Sequence, residues 1–262
     1  MQKIRIYQID AFASEIFSGN PAAVCPLNDW LPDQTMQSIA AENNLSETAF
    51  FIHKNEEFFI RWFTPKIEIG LCGHATLASA HVLYSELEFK KDNVEFHTKA
   101  GDLLKVTRDN DIISMDFPSH VPKQCDCDLN EIGTALGAKP IAFETAMYGL
   151  AIFKNEQEIL DLEPNFHAIN NLAYDGIIVT APGNNVDFVS RFFGPKLGIP
   201  EDPVTGGAHC SLIPYWSNRL AKNNLIARQL SERGGELYCE QRGDRVQIGG
   251  RAVTYLKGEL LI

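Results

Sequence analysis

The sequence predicts an α+β protein made of two pseudo-symmetric domains that arose by internal duplication. Two observations predict it. First, Arg61-Trp-Phe-Thr-Pro-Lys-Ile-Glu-Ile69 lies over Arg191-Phe-Phe-Gly-Pro-Lys-Leu-Gly-Ile199 at a spacing of 130, with five of nine positions identical. Second, both segments run into a glycine-containing helix start, Cys72-Gly-His-Ala75 in one half and Thr205-Gly-Gly-Ala208 in the other. A shift of 128 also superposes Ala49–Ile52 on Ile177–Thr180. Each half is therefore one copy of a mixed domain, which differs from a solenoid of short repeats.

Composition bounds the rest. A chain of 262 residues accommodates two ordinary domains. Hydrophobic content of 45% and charged content of 22% are those of a soluble globular protein. Lys and Arg number 23 against 34 Asp and Glu, a net charge of −11, which disfavours a nucleic-acid partner. Residues 1–10 alternate as a strand does and carry no signal-peptide apolar region, and no apolar run reaches the length of a membrane span. A cytoplasmic protein without membrane contact is expected. Six cysteines occur, but nothing suggests secretion, and Cys125-Asp-Cys127 lacks the second pair that a zinc site needs. No structural metal is expected from that spacing.

In chain order, Ile4–Ile9 reads as a strand, Ser18–Pro21 as a turn and Ala22–Cys25 as a short apolar strand. Leu31-Pro32-Asp33 opens a helix that Asp33 is expected to cap, with Met36, Ile39 and Ala40 inward and Asn43-Asn44 at its end. Strands follow at Ala49–Ile52 and Phe58–Phe63, then the helix after Gly73, then strands at 94–98, 103–107 and 112–117. Pro118 to Asp128, with two prolines and mixed charge, reads as a linker. The domains are therefore placed at 1–118 and 119–262, with the terminal strand free to return to the first. In the second half, 129–136 and 163–169 read as helices, and 148–153, 176–180 and 186–193 as strands.

The chemistry concentrates near the two glycine turns. Gly73 allows close approach of a ligand to the backbone, and the first N–H groups of the following helix have no internal partner. Those donors and the helix dipole suit a carboxylate or phosphate. The helix itself, with Ala75, Leu77, Ala78, Ala80, Val82 and Leu83, is apolar nearly all round and is expected to be buried. His74 lies in this cradle, where the dipole is expected to lower its pKa so that a neutral imidazole relays a proton or merely satisfies a buried backbone group. Glu47 precedes the strand Ala49-Phe50-Phe51, and is either an ordinary exposed acid or a partly desolvated base. Asp202, held extended before Pro203, either caps a helix or aims its carboxylate at a ligand. Cys72, at a helix start, is a candidate thiolate; a two-thiol mechanism wants a matching cysteine, and the matching position is Thr205. His209 lies in the matching turn, whereas the histidines at 53, 81, 97, 120 and 167 read as surface or packing residues. No dinucleotide fingerprint, P-loop, zinc-protease motif or nucleophile elbow occurs. In a duplicated chain the ligand is expected between the copies.

Asp10-Ala-Phe12, Gly19-Asn-Pro-Ala-Ala-Val24, Asn44-Leu-Ser-Glu-Thr48, Cys72-Gly-His-Ala-Thr76 and Glu201-Asp-Pro-Val-Thr-Gly206 together resemble the signature segments of the phenazine-biosynthesis PhzF-like family. The likeness runs in order along nearly the whole chain. It implies the diaminopimelate-epimerase fold, two similar domains with a sheet curled around a central helix in each. It also implies a homodimeric, cofactor-free and metal-free isomerase that moves a proton on a small carboxylate-bearing substrate. Glu47 matches the family's catalytic glutamate, and His74 and Asp202 its supporting polar residues. Asn20, Gly73, Gly206 and Gly207 fall where that family holds its substrate. The family usually carries a serine where this chain has Gly207, which argues for a different substrate. Two rival readings remain: an amino-acid racemase or epimerase using Cys72, and a non-catalytic small-acid binding protein on the same scaffold.

Overall fold

The computed structural model describes residues 2–262. They form two compact units: residues up to Asp116 together with Gly249–Ile262, and Phe117–Ile248.

In the first unit β1 (Lys3–Ala11) alternates, burying Ile4 and Ile6 between exposed Lys3 and Arg5. It pairs antiparallel with β2 (Asn20–Leu27), from Tyr7 opposite Val24 to Ala11 opposite Asn20. The reversal between them needs Gly19, whose φ is 66° and where a Cβ would run into the Ala11 carbonyl. Helix α1 (Asp33–Asn43) buries Met36, Ile39 and Ala40. Asp33 does not cap it. Pro32 holds the N-cap position, and the Asp33 carboxylate instead accepts from Nη1 of Arg61 at 2.8 Å. The helix stops at Asn44, which turns left-handed at φ 49°.

Strand β3 (Glu47–Lys54) lies parallel to β2, and β4 (Glu57–Phe63) antiparallel to β3, with the two-residue β5 (Glu68–Ile69) along its edge. Residues 47–52 of β3 are buried without a break, as expected of a strand covered on both faces. One cover is α1. The other is α2 (Gly73–His81), which packs on β1, β2 and β3 and buries every residue from His74 to Ala80. It runs on into a π-helical turn, Val82–Glu86. Strand β6 (Asn93–Thr98) is parallel to β4, and β7 (Leu103–Asp109) and β8 (Ile112–Pro118) continue antiparallel. The sheet thus curls around a central helix.

The second unit repeats this plan. After β9 (Lys123–Gln124) come α3 (Leu129–Leu136), β10 (Ala142–Thr145), β11 (Gly149–Ile152), α4 (Glu156–Leu160), α5 (Phe166–Asn171), β12 (Ile177–Pro182), β13 (Phe188–Gly194) and β14 (Ile199–Glu201). Then follow α6 (Gly206–Leu220), β15 (Asn224–Gln229), β16 (Gly235–Arg242) and β17 (Arg245–Gly250). The β10–β11 pair is antiparallel, β11–β12 parallel, β12–β13 antiparallel, β13–β15 parallel and β15–β16 antiparallel. That sequence of pairings reproduces β1 through β7, with α6 in the place of α2. Side chains repeat as well. Arg61 forks onto Glu68 at 2.7 and 2.8 Å and lies 5.2 Å from the Phe63 ring. Arg191 forks onto Glu201 at 2.8 and 3.0 Å and lies 5.0 Å from the Phe193 ring.

Two sequence expectations are corrected here. The stretch 118–128 is not a free linker, because Lys123–Gln124 pairs with β10 and the Asp128 side chain caps α3. The helix expected at 163–169 begins at Phe166, since Pro164 disfavours a helical Glu163 and the Asn165 side chain caps the first turn. The final strand, β18 (Ala252–Leu261), belongs to the first unit and pairs with β1 along its whole length, Lys3 opposite Leu261 and Ala11 opposite Ala252. Among the described residues no helix is long and apolar enough to cross a membrane.

Candidate active site

Glu47 is the first residue of β3, held opposite Ala22 by the parallel ladder with β2. Its side chain emerges where the strand begins, yet only 6% of the residue is exposed. His74 is the second residue of α2 and equally buried. The two meet, with His74 Nε2 3.1 Å from Glu47 Oε2. At that distance they attract as charges but are not aligned for a hydrogen bond, so neither atom finds a hydrogen-bond partner among the described residues. Buried polar atoms left this way are uncommon in folded proteins, and each calls for an explanation.

The other ring nitrogen is engaged. His74 Nδ1 lies 3.6 Å from Sγ of Cys72, the N-cap residue. The Cys72 backbone is fixed in turn, because its carbonyl accepts from the Thr76 hydroxyl at 2.6 Å and the Thr76 N–H at 3.2 Å. Gly73 opens α2 between these residues. Asn20 opens β2, fully buried, two residues ahead of the Ala22 that faces Glu47. The first unit therefore brings Glu47, Cys72 and His74 together, with Asn20 and Gly73 at the same end of its sheet and helix.

Their protonation differs from the sequence expectation in two places. Burial of His74 disfavours its charged form, but the Cys72 sulfur and the Glu47 carboxylate on either side outweigh burial and hold the imidazole well above its ordinary range. The helix start does not make it neutral. The Cys72 thiol is likewise raised rather than lowered, by burial first and by the Glu47 charge second. The thiol therefore gives up its proton less readily than a free cysteine does. That weakens Cys72 as a base. Donor atoms of Glu47, Cys72 and His74 all lie within 4.8 Å of one another, close enough to share a metal ion. The imidazole, however, turns one nitrogen to the sulfur and the other to the carboxylate, an arrangement suited to passing a proton.

Asp202, Gly206 and Gly207 lie in the second unit. Asp202 is buried and accepts from the Thr205 hydroxyl at 2.5 Å; Thr205 is the N-cap of α6, and Gly206 and Gly207 are its first residues. The residue that builds this turn is Gln229 of β15. Its amide donates to the Asp202 carbonyl at 2.7 Å and to the Thr205 hydroxyl at 3.1 Å, and its side-chain oxygen accepts from the Thr205 N–H at 2.9 Å. No local pattern in the sequence marks Gln229, because its partners are 24 and 27 residues away. His209 is structural: its ring bonds the Thr205 carbonyl at 2.8 Å, and burial lowers its pKa to about 4, so it stays neutral.

Residues 9–258 match the family described as phenazine biosynthesis-like protein, PhzC-PhzF. The chain belongs to this family. An uncharacterized isomerase of Pseudomonas aeruginosa is 46% identical to the PhzF-like chain over 259 residues, covering 98% of each. A PhzF-family crystal structure from Enterococcus faecalis matches with a TM-score of 0.97 at 45% identity, covering 100% of both chains. A hydroxyproline epimerase from Agrobacterium vitis, solved with trans-4-hydroxy-L-proline, matches with a TM-score of 0.62 at 10% identity, covering 98% of this chain and 92% of that one. At that identity it shows a common fold for the PhzF-like chain and the epimerases, and no more.

Proposed function

We propose that this PhzF-like chain is an isomerase that moves a proton on a small carboxylate-bearing substrate, with Glu47 as the group that takes the proton and returns it. The observation that carries the reading is the Glu47 carboxylate itself, buried, lacking a hydrogen-bond partner at Oε2 and 3.1 Å from a histidine at a helix start. A carboxylate excluded from water and held within reach of a substrate C–H is suited to general-base work. The relatives that carry the name isomerase support the same class of reaction.

In this reading Glu47 removes a proton from one carbon, and the electron pair left behind spreads into an adjacent unsaturated or carboxylate group. The charged His74 ring opposes that developing negative charge, an effect strengthened by exclusion of water. The proton then returns from Glu47 to a second carbon, so no atom is gained or lost. Free N–H groups at the start of α2 hold a substrate carboxylate. In the second unit, Asp202 and the N–H groups at Gly206 and Gly207 supply the corresponding turn. A Cβ at Gly207 would meet nothing within 4 Å, so the absent serine hydroxyl is a chemical difference that packing does not force.

The test starts with a thermal-shift screen of small carboxylic acids and follows the acids that bind in deuterated water. The parent protein incorporates solvent deuterium into its substrate. Glu47→Gln is expected to lower that rate by about 100-fold or more, the usual worth of a positioned base. Undiminished exchange in Glu47→Gln removes the assignment, and binding without any exchange in the parent points to a small-acid binding protein.

A further inference from the structure

We infer that Cys72 is a positioning residue for the proton chain, its thiol fixing the His74 ring so that Nδ1 is committed to sulfur and Nε2 is turned to Glu47. The inference rests on the proposed role of Glu47 for its catalytic meaning, while the positioning itself is legible without turnover.

A histidine ring has two nitrogens, and which one carries the proton in the neutral form is set by the bond that the other makes. In His74 the two nitrogens face different partners, sulfur at 3.6 Å and carboxylate at 3.1 Å. The carboxylate contact lacks hydrogen-bond alignment, so it does not by itself hold the ring. The sulfur contact does meet the distance of a hydrogen bond to sulfur, and its backbone is immobilised by two bonds from Thr76. Cys72 sits at the N-cap with an extended backbone, φ −145° and ψ 114°, and makes no capping bond of the usual kind with its side chain. The thiol lies against the Ala75 N–H of the first turn as well as the ring, so both ends of its surroundings are fixed by α2.

The neighbourhood leaves few other groups to do this. Among the described residues, Cys72 and Glu47 are the charged or titratable groups that act on the ring. His81, at the far end of α2, belongs to a separate set with Thr254 and Glu86. A thiol kept protonated by burial and by the Glu47 charge donates to Nδ1 of a neutral ring, and its sulfur accepts from Nδ1–H of a charged ring. Either way Nε2 keeps its proton beside Glu47. When Glu47 takes a proton from substrate, the ring beside it keeps one orientation through the cycle.

The experiment uses the whole chain with 15N-labelled histidine and multiple-bond 1H–15N correlation spectra across pH, His74→Gln serving to assign the signal. The parent is expected to keep the proton on Nε2 once the ring becomes neutral. In Cys72→Ala the neutral ring is expected to show both tautomers; Cys72→Ser, which retains a donor and acceptor, recovers part of the Nε2–H preference. Cys125→Ser, a thiol in the second unit, leaves His74 unchanged. Glu47→Gln supplies the second arm, lowering the titration while leaving the Nε2–H tautomer in place. A Cys72→Ala spectrum identical to the parent overturns the inference, and so does tautomer mixing in Glu47→Gln alone. Loss of deuterium exchange in Glu47→Gln with an unmoved Cys72→Ala spectrum leaves the isomerase reading standing and removes only this one.

Discussion

His74 and His209 both sit within the first turn of a buried helix, one in each unit, and burial alone disfavours the charge on both. Their neighbours separate them. Glu47 and Cys72 lift His74, whereas the ring of His209 bonds a backbone carbonyl and lies against the Phe188 ring, with no charged partner among the described residues. Linkage then assigns each a pH window. The folded pKa of His209, about 4, lies below the unfolded value of about 6.5, so the unfolded chain binds a proton between them that the folded chain does not. Its contribution is complete above pH 6.5 and is lost as pH falls toward 4, at up to about 1.4 kcal/mol per pH unit. His74 works in the opposite sense, complete below pH 6.5 and lost as pH rises through its folded value. Urea unfolding of the parent between pH 4 and 6.5 is expected to show this slope, and His209→Gln, which can keep the bond to Thr205, to flatten it. An unchanged slope in that variant would contradict the assignment. The place of Glu47 and His74 was legible from a strand start and a glycine turn. Their protonation was not, because it depends on residues that only the fold makes neighbours.

At the scale of elements, the helix after Gly73 was readable because its residues are apolar on all sides, and the structure uses every side. Ala75, Ala78 and Ala80 are fully buried where α2 meets β1, β2 and β3. Small residues there set how closely the sheet wraps the helix. Ala78→Leu is expected to overpack this contact and cost about 1–3 kcal/mol, read as a lowered unfolding midpoint in urea. The repeat of Arg61 and Arg191 was equally legible, but its meaning was not. At a spacing of 130 the partner Glu68 falls on Gly198, and the carboxylate arrives three residues later at Glu201. A 3₁₀ turn at Pro195–Leu197 and the left-handed Gly198, φ 83°, account for the offset. The acids therefore take equivalent ladder positions, Glu68 opposite Phe63 and Glu201 opposite Phe193, without matching in sequence. Asp33 fails as a cap for a related reason, since its partner Arg61 is 28 residues away.

At the scale of the whole molecule, the least legible element is β18. Its burial pattern is mostly exposed, and nothing local distinguishes Ala252–Leu261 from a surface segment. What makes it a strand is β1, more than 240 residues earlier, bonded to it from Lys3 to Ala11. A chain ending at Gly250 is expected to leave β1 as a bare edge and to lose amide protection across the first unit, while the second unit keeps its protection. Hydrogen exchange read by mass spectrometry distinguishes the two, and full protection of β1 in the shortened chain would refute the dependence. This pairing also bears on the order in which the protein is made. A ribosome releases β1 before, and β18 after, all of 117–248, so the second unit has its complete sequence before the first has its closing strand. That order of release runs against the usual expectation that the N-terminal domain completes its fold first. The half of the chain that carries Glu47 and His74 is therefore expected to close its sheet only after the other half has left the exit tunnel.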